Sequence, residues 1–379
     1  MKRSAFVALT IGLLLFVALL AWRGVGLIAQ TFLAAGWGIV VVALFHLLPL
    51  LLDGAAAAVL LPSRTPYRPA SGNARPDAAP APPSFWRVVG ARWACESVNS
   101  LMPAGQMGGP VVMARLLSRR TGPSPQGATN ATATATARAN SADTPSIGRA
   151  YDVADAGAIV TVATTQQMFA QGAFAILGII VLALHVGRHA LTWPLLIAIA
   201  VFAAIGIGFY KAQRRGLFTW LASGLARTRY GRARPAWLAA AARLDQRIGA
   251  VYTHAPAVRA CFALNLVGWI VGTGEVWLAL RFIGHPIGWA EAFALESLGQ
   301  AVRGAAFAIP GALGVQEGGL LLLAPLLGVA PDTAIALSLC KRARELLLGL
   351  PGLLYWHWQE RALQRDMPKP VLSTLPPVD

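Results

Sequence analysis

Eight long apolar runs dominate this chain, at 5–22, 36–61, 167–186, 191–210, 260–282, 289–309, 312–329 and 334–357. A helix rises about 1.5 Å per residue, so about 20 such residues cross a hydrocarbon layer of roughly 30 Å. The bilayer offers no partner to an unpaired backbone group, which leaves helices as the way to bury runs of this length. The predicted fold is all-α, a polytopic membrane bundle of about eight spans, of which 312–329 is short and rich in glycine. Only 13% of the residues are charged, about half of what a soluble domain uses to cover its surface.

The formal net charge of +16 would suit nucleic acid, but the basic residues are not arranged for that partner. They concentrate in two connections, 62–166 and 211–259, and at both termini, while the remaining connections hold little beyond Arg23, Arg188 and His285. This is the positive-inside pattern, and it assigns the long basic segments and both termini to the cytoplasmic side of a bacterial inner membrane. Arginines at that surface also suit anionic lipid headgroups. The run 5–22 after Lys2-Arg3 is longer than a usual signal-peptide core and reads as an uncleaved first span.

Composition then divides the chain. Residues 1–61 hold the first two spans, and 62–83 and 121–146 are Pro/Ala- and Ala/Thr/Ser-rich segments expected to be disordered loops. Between them, 84–120 forms a Gly-Pro motif. Residues 147–210 carry the third and fourth spans, 260–358 the C-terminal spans, and 359–379 a tail. In the basic segment 211–259, Trp237, Ala241, Leu244, Ile248 and Val251 recur at helical spacing. A helix lying on the membrane surface and a helix packed on the end of the bundle both fit.

Two segments do not read as ordinary spans. Residues 86–118 lie between stretches that both belong in the cytoplasm, so a single crossing is excluded. The part before Pro103 is too short to cross and contains Glu96 and Asn99; Gly105, Gly108 and Gly109 then loosen the backbone. A re-entrant helix–loop–helix is the economical reading, because broken backbone at membrane depth must face protein or water. Residues 296–319 echo it, from Glu296-Ser297 through Pro310, Gly311 and Gly314 to Gly318-Gly319. Such paired breaks mark transporter binding sites, though shared membrane-loop composition would also produce the likeness.

Ionisable residues inside spans cost at least about 2.5–3.5 kcal/mol each and need partners or a cavity. Glu296, Gln300 and Arg303 fall on one helical face; Asn265, Gly268, Gly272 and Glu275 fall on another; Gln316 and Glu317 follow the second glycine turn. The last span holds Lys341, Arg342, Arg344 and Glu345, with Lys341 and Glu345 spaced to pair along the helix. Mutual neutralisation is one account. The excess of cations in that span favours the other, a wet cavity that holds a polar or anionic headgroup. Six scattered histidines and three scattered cysteines show no ligand or disulfide spacing, and no cofactor is expected.

These residues carry a resemblance. Glu96-Ser-Val-Asn-Ser-Leu-Met-Pro-Ala-Gly-Gln-Met-Gly-Gly109 resembles the first signature of flippase-like membrane proteins related to the transmembrane region of lysylphosphatidylglycerol synthetases. Glu296 through Phe307, Pro310 through Gly319, and Leu348-Gly-Leu-Pro-Gly352 resemble the HpnL branch, which is associated with hopanoid biosynthesis. The resemblance implies an inner-membrane protein of hopanoid or related lipid handling that translocates lipid between leaflets. Its implied partners are membrane lipids and hopanoid biosynthesis enzymes, not nucleic acid. Pro110, Met113 and Ala163 depart from the family pattern, where an acidic residue, an Arg and an Asp are usual. A non-transporting scaffold for hopanoid-modifying enzymes is the rival reading. A membrane-embedded transferase would need a reactive group, for which only Glu296 and Glu317 are candidates.

Overall fold

The computed structural model describes residues 35–61, 82–102, 108–118, 153–186, 188–227, 236–306, 309, 312 and 314–365. The first apolar run, Pro103, Gly105, Pro310, Gly311, residues 62–81, the insert 121–146 and the tail beyond 365 lie outside the described residues. All regular structure among the described residues is helical.

Helices α1 (Gly38–Phe45) and α2 (Leu47–Ala58) come from one apolar run that breaks at His46. Pro49 explains the break, because its ring crowds the carbonyl four residues back and it lacks the N–H that would bond there. Helices α3 (Phe85–Leu101) and α4 (Gly108–Leu117) pack on one another as a hairpin. Then follow α5 (Val153–Val186), α6 (Arg188–Arg214), α7 (Leu217–Ala226) and α8 (Ala236–Tyr252). The chain continues with α9 (Ala255–Phe282), α10 (Trp289–Ala305), α11 (Val315–Leu323) and α12 (Pro331–Arg365). By length and composition, Gly38–Ala58, Val153–His185 and Ala255–Phe282 can each cross a membrane.

The segment 312–329 was counted among the spans, yet it holds only the nine residues of α11 and a four-residue 3-10 turn, Ala324–Leu327. At about 1.5 Å per residue α11 falls well short of a crossing. It packs back against α10, with Gly319 pressed on Val302, and so forms the returning arm of a second hairpin.

The two hairpins sit in halves of like construction. Each half has a long helix (α1–α2 or α9), a hairpin (α3–α4 or α10–α11) and a second long helix (α5 or α12). The first long helices lie antiparallel: Gly38 meets Phe282, Phe45 meets Gly274, and Asp53 stands beside Gly268. Each hairpin then packs on the other half. Ser97 on α3 fills the space where Gly352 of α12 lacks a Cβ, and Ser297 on α10 does the same against Gly178 of α5. Trp93 Nε1 donates to the Leu348 carbonyl at 2.9 Å, while Gln171 Nε2 donates to the Gln300 carbonyl at 2.9 Å. The Glu-Ser pairs that opened both motifs thus occupy equivalent places.

Two apolar cores follow from this plan. One, around Val42, Leu280, Leu295 and Leu337, surrounds the second hairpin. The other, around Val88, Leu117, Val162 and Ile248, surrounds the first. Outside them, α6 exposes Trp193, Ile197, Val201, Ile205 and Phe209, an apolar surface of the kind that suits a lipid environment. Of the two readings of 236–252, the described contacts are those of a helix packed on the bundle. Ile248 is fully buried against α5, and Asp245 caps α7 by accepting from the Phe218 and Thr219 amides at 3.1 and 2.7 Å.

Candidate headgroup cavity

A cavity of about 160 Å³ lies between the two cores, where the halves meet. From the first half come His46, Pro49, Leu50 and Asp53 on the α1–α2 helix, Arg92, Glu96, Asn99 and Ser100 on α3, and Gln167 on α5. From the second come Gly268, Trp269, Gly272 and Glu275 on α9, Glu296, Gln300 and Arg303 on α10, and Arg344 on α12. The wall is therefore built from matching elements that run in opposite directions.

Its charges are paired across helices. His46 Nδ1 stands 2.8 Å from Glu275 Oε2, and Nε2 stands 2.8 Å from Glu96 Oε1. Arg344 Nε donates to Glu275 Oε1 at 3.0 Å and lies within 3.6 Å of Glu96. Arg92 Nη2 donates to Asp53 Oδ2 at 2.8 Å, where Gln167 Nε2 donates as well at 3.3 Å. Lys341 Nζ reaches Glu296 Oε2 at 2.5 Å, and Gln300 Nε2 holds the other oxygen at 2.8 Å. Arg303 Nη1 meets Glu345 Oε1 at 2.5 Å and Gln316 Oε1 at 3.3 Å. Arg342 joins Glu317, at 2.9 Å from Nε, to Glu345, at 2.8 Å from Nη1, and Ser338 Oγ donates to Glu317 at 3.2 Å.

These contacts correct two expectations. Lys341 and Glu345 do not pair with each other along α12; each takes a partner on α10. On α12 itself Glu345 pairs with Arg342, three residues back, and the packed α10 supplies Glu296 to Lys341. The cation excess of the last span is also compensated. Glu275, Glu296, Glu317 and Glu345 neutralise Lys341, Arg342, Arg344 and Arg303, so the argument from surplus positive charge falls. A polar cavity remains, with a different charge balance.

Of the residues singled out in the sequence, Glu96, Asn99, Glu275, Glu296, Gln300, Arg303 and Arg344 line the cavity. Gln316, Glu317, Lys341, Arg342 and Glu345 stand behind it and hold the lining in place. The glycines shape the hairpins. Gly109 lies so close to α3 that a Cβ would strike Asn99, whose Oδ1 accepts from the Gly109 amide at 2.9 Å. Gly108 opens α4 beside it, Gly314 takes φ +77° just before α11, and Gly318 faces open space.

A family model described as the lysylphosphatidylglycerol synthase TM region matches residues 146–352, more than half of the 379-residue chain. The chain belongs to that family. It is accordingly a membrane protein tied to lipid-related processes. The match takes in the long helix α5 and the whole second half to Gly352, and the first hairpin precedes it. No curated protein and no solved structure matches the chain.

Sequence reasoning missed His46, Asp53, Arg92 and Gln167 of the first half and Trp269 of the second. A signal was present for two of them. His46 and Asp53 interrupt an apolar run, and an ionisable group inside a span is a site candidate by default. Testing the histidines only for metal-ligand spacing passed over His46. Two further donors among the cavity residues, Arg92 Nε and Trp269 Nε1, are buried without a hydrogen-bond partner among the described residues. Buried donors in that condition favour an acceptor arriving from a ligand.

Proposed function

We infer that this protein translocates a lipid headgroup between leaflets through the polar cavity, as a flippase-like component of hopanoid or related lipid metabolism in the bacterial inner membrane. One observation carries the reading: a single polar cavity is walled by matching helices of two oppositely directed halves. Transporters built on inverted repeats bind their cargo at that place, beside broken helices, and rocking the halves exposes it to either side. The unpartnered Arg92 and Trp269 donors offer hydrogen bonds to headgroup oxygens, while the apolar outer face leaves the acyl or ring portion in lipid. The family relation to lipid handling and the HpnL likeness of the second hairpin point the same way. The basic connections orient both termini to the cytoplasm.

The test is leaflet exchange in reconstituted liposomes carrying a labelled hopanoid or a labelled phosphatidylglycerol. Wild-type protein is expected to accelerate exchange of at least one of them, and Arg303→Ala and Glu275→Gln to slow it about tenfold or more, as loss of a buried ionic partner implies. Equal exchange in protein-free and protein-containing vesicles would overturn translocation and leave the scaffold reading standing.

A further inference from the structure

We propose that His46 is the proton-binding group of the cavity and that lipid passage through it is coupled to that proton. The inference rests on the translocation reading and supplies its energy source.

The geometry begins with the ring itself. Both nitrogens face a carboxylate oxygen at 2.8 Å, and a carboxylate only accepts hydrogen bonds. A neutral imidazole has one N–H, so it can serve one of the two acids; the doubly protonated ring serves both. The two acids belong to different halves, Glu96 to α3 and Glu275 to α9. The proton therefore ties the halves together, and its loss frees one tie.

The surroundings let the ring discharge without leaving a carboxylate stranded. Arg344 Nη1 lies 3.1 Å from His46 Nε2, and the same guanidinium reaches Glu275 at 3.0 Å and Glu96 at 3.6 Å. It opposes the charge on the ring and takes over its partners when that charge goes. Asp53 on the ring's own helix is held by Arg92 of α3; α10 presents Glu296 and Arg303, already bound to Lys341 and Glu345; α5 presents the neutral Gln167. Across the whole network five permanent cations, on Arg92, Arg303, Lys341, Arg342 and Arg344, face six carboxylates. A charged His46 closes that balance, and a neutral one leaves a net charge of −1. The ring is 15% exposed and lines the cavity, so water can deliver the proton.

The consequence for cargo follows from linkage. An anionic headgroup meets a neutral site when the ring is charged and a negative one when it is not, so proton and headgroup each raise the affinity of the other. The proton enters the ring from water on one side with the headgroup and leaves to water on the other, and a lipid of charge −1 crosses with no net charge moved.

Two measurements decide it. In nanodiscs with ¹⁵N-labelled histidine, the His46 resonance, assigned by its loss in His46→Gln, is expected to report a change between the singly and doubly protonated ring as pH is varied. Its midpoint is expected to rise by about one unit when phosphatidylglycerol replaces part of the phosphatidylcholine, the shift that a tenfold affinity linkage produces. A ring that keeps one protonation state at every pH at which the protein stays folded, or one that responds to added glycerol 3-phosphate but not to the lipid, overturns the proposal. In liposomes, labelled phosphatidylglycerol is expected to accumulate in the leaflet facing the alkaline compartment, approaching about tenfold per pH unit for one proton per lipid, and His46→Gln is expected to lose that asymmetry. Exchange that ignores the gradient overturns the proposal and leaves translocation intact. No exchange with or without a gradient overturns translocation instead, and the nanodisc titration then decides the proton site by itself.

Discussion

The two halves share a plan but are fastened differently. Taking Ser97 against Gly352 and Ser297 against Gly178 as equivalent points, Lys341 and Glu345 of α12 stand eleven and seven residues before their glycine, and Gln167 and Gln171 of α5 stand at the same distances before theirs. Where the second half uses ions, the first uses amides. Glu345 binds Arg303 and Arg342, whereas Gln171 makes a neutral hydrogen bond to the Gln300 carbonyl. Ion pairs of this kind resist rearrangement once desolvated, and amides exchange partners at lower cost. The comparison teaches that α12 and the second hairpin form a fixed frame around the cavity, against which α5 is the easier part to shift.

The largest expected effect breaks the frame. Glu345→Gln removes the shared carboxylate of Arg303 and Arg342, taking the ionic partner from the first and leaving the second with Glu317 alone, at a cost of about 3–5 kcal/mol. Thermal unfolding in detergent measures this loss. Overpacking the two serine–glycine contacts probes the shared plan. Gly178→Val and Gly352→Val should each cost about 1–3 kcal/mol and should match one another; a large inequality would mean that the two contacts are not equivalent. Removing the Gly109 cap with Asn99→Ala should cost about 1 kcal/mol, since one buried amide loses its acceptor. The smallest effect belongs to Gln171→Leu, about 0.5–1.5 kcal/mol by the same unfolding assay. A Gln171 loss as large as that of Glu345 would dissolve the distinction between frame and moving part.

Much of this arrangement was legible in the sequence. Apolar run length required helices, and the Glu-Ser and Gly-Gly marks located both hairpins, because helix-breaking residues at membrane depth have few permitted settings. The charged face of α10 was readable from its spacing alone. What stayed hidden was pairing between helices. Spacing along α12 offers Glu345 to Lys341, but only the packed bundle brings Glu296 to that lysine and Arg303 to that acid. The partners of His46 were hidden for a related reason, since they lie 50 and 229 residues away. The antiparallel relation of α1–α2 and α9 likewise rests on contacts such as Gly38 with Phe282, which no local pattern encodes.

Water access to the shared wall tests the central claim most directly. A Gln300→Cys variant should react with a charged, membrane-impermeant thiol reagent, while a Leu346→Cys variant on the exposed apolar face of α12 and the native buried Cys95, Cys261 and Cys340 should not. Reaction at position 346 with silence at position 300 would contradict the account, because the ionic side chains would then surround a dry core and no headgroup could reach them.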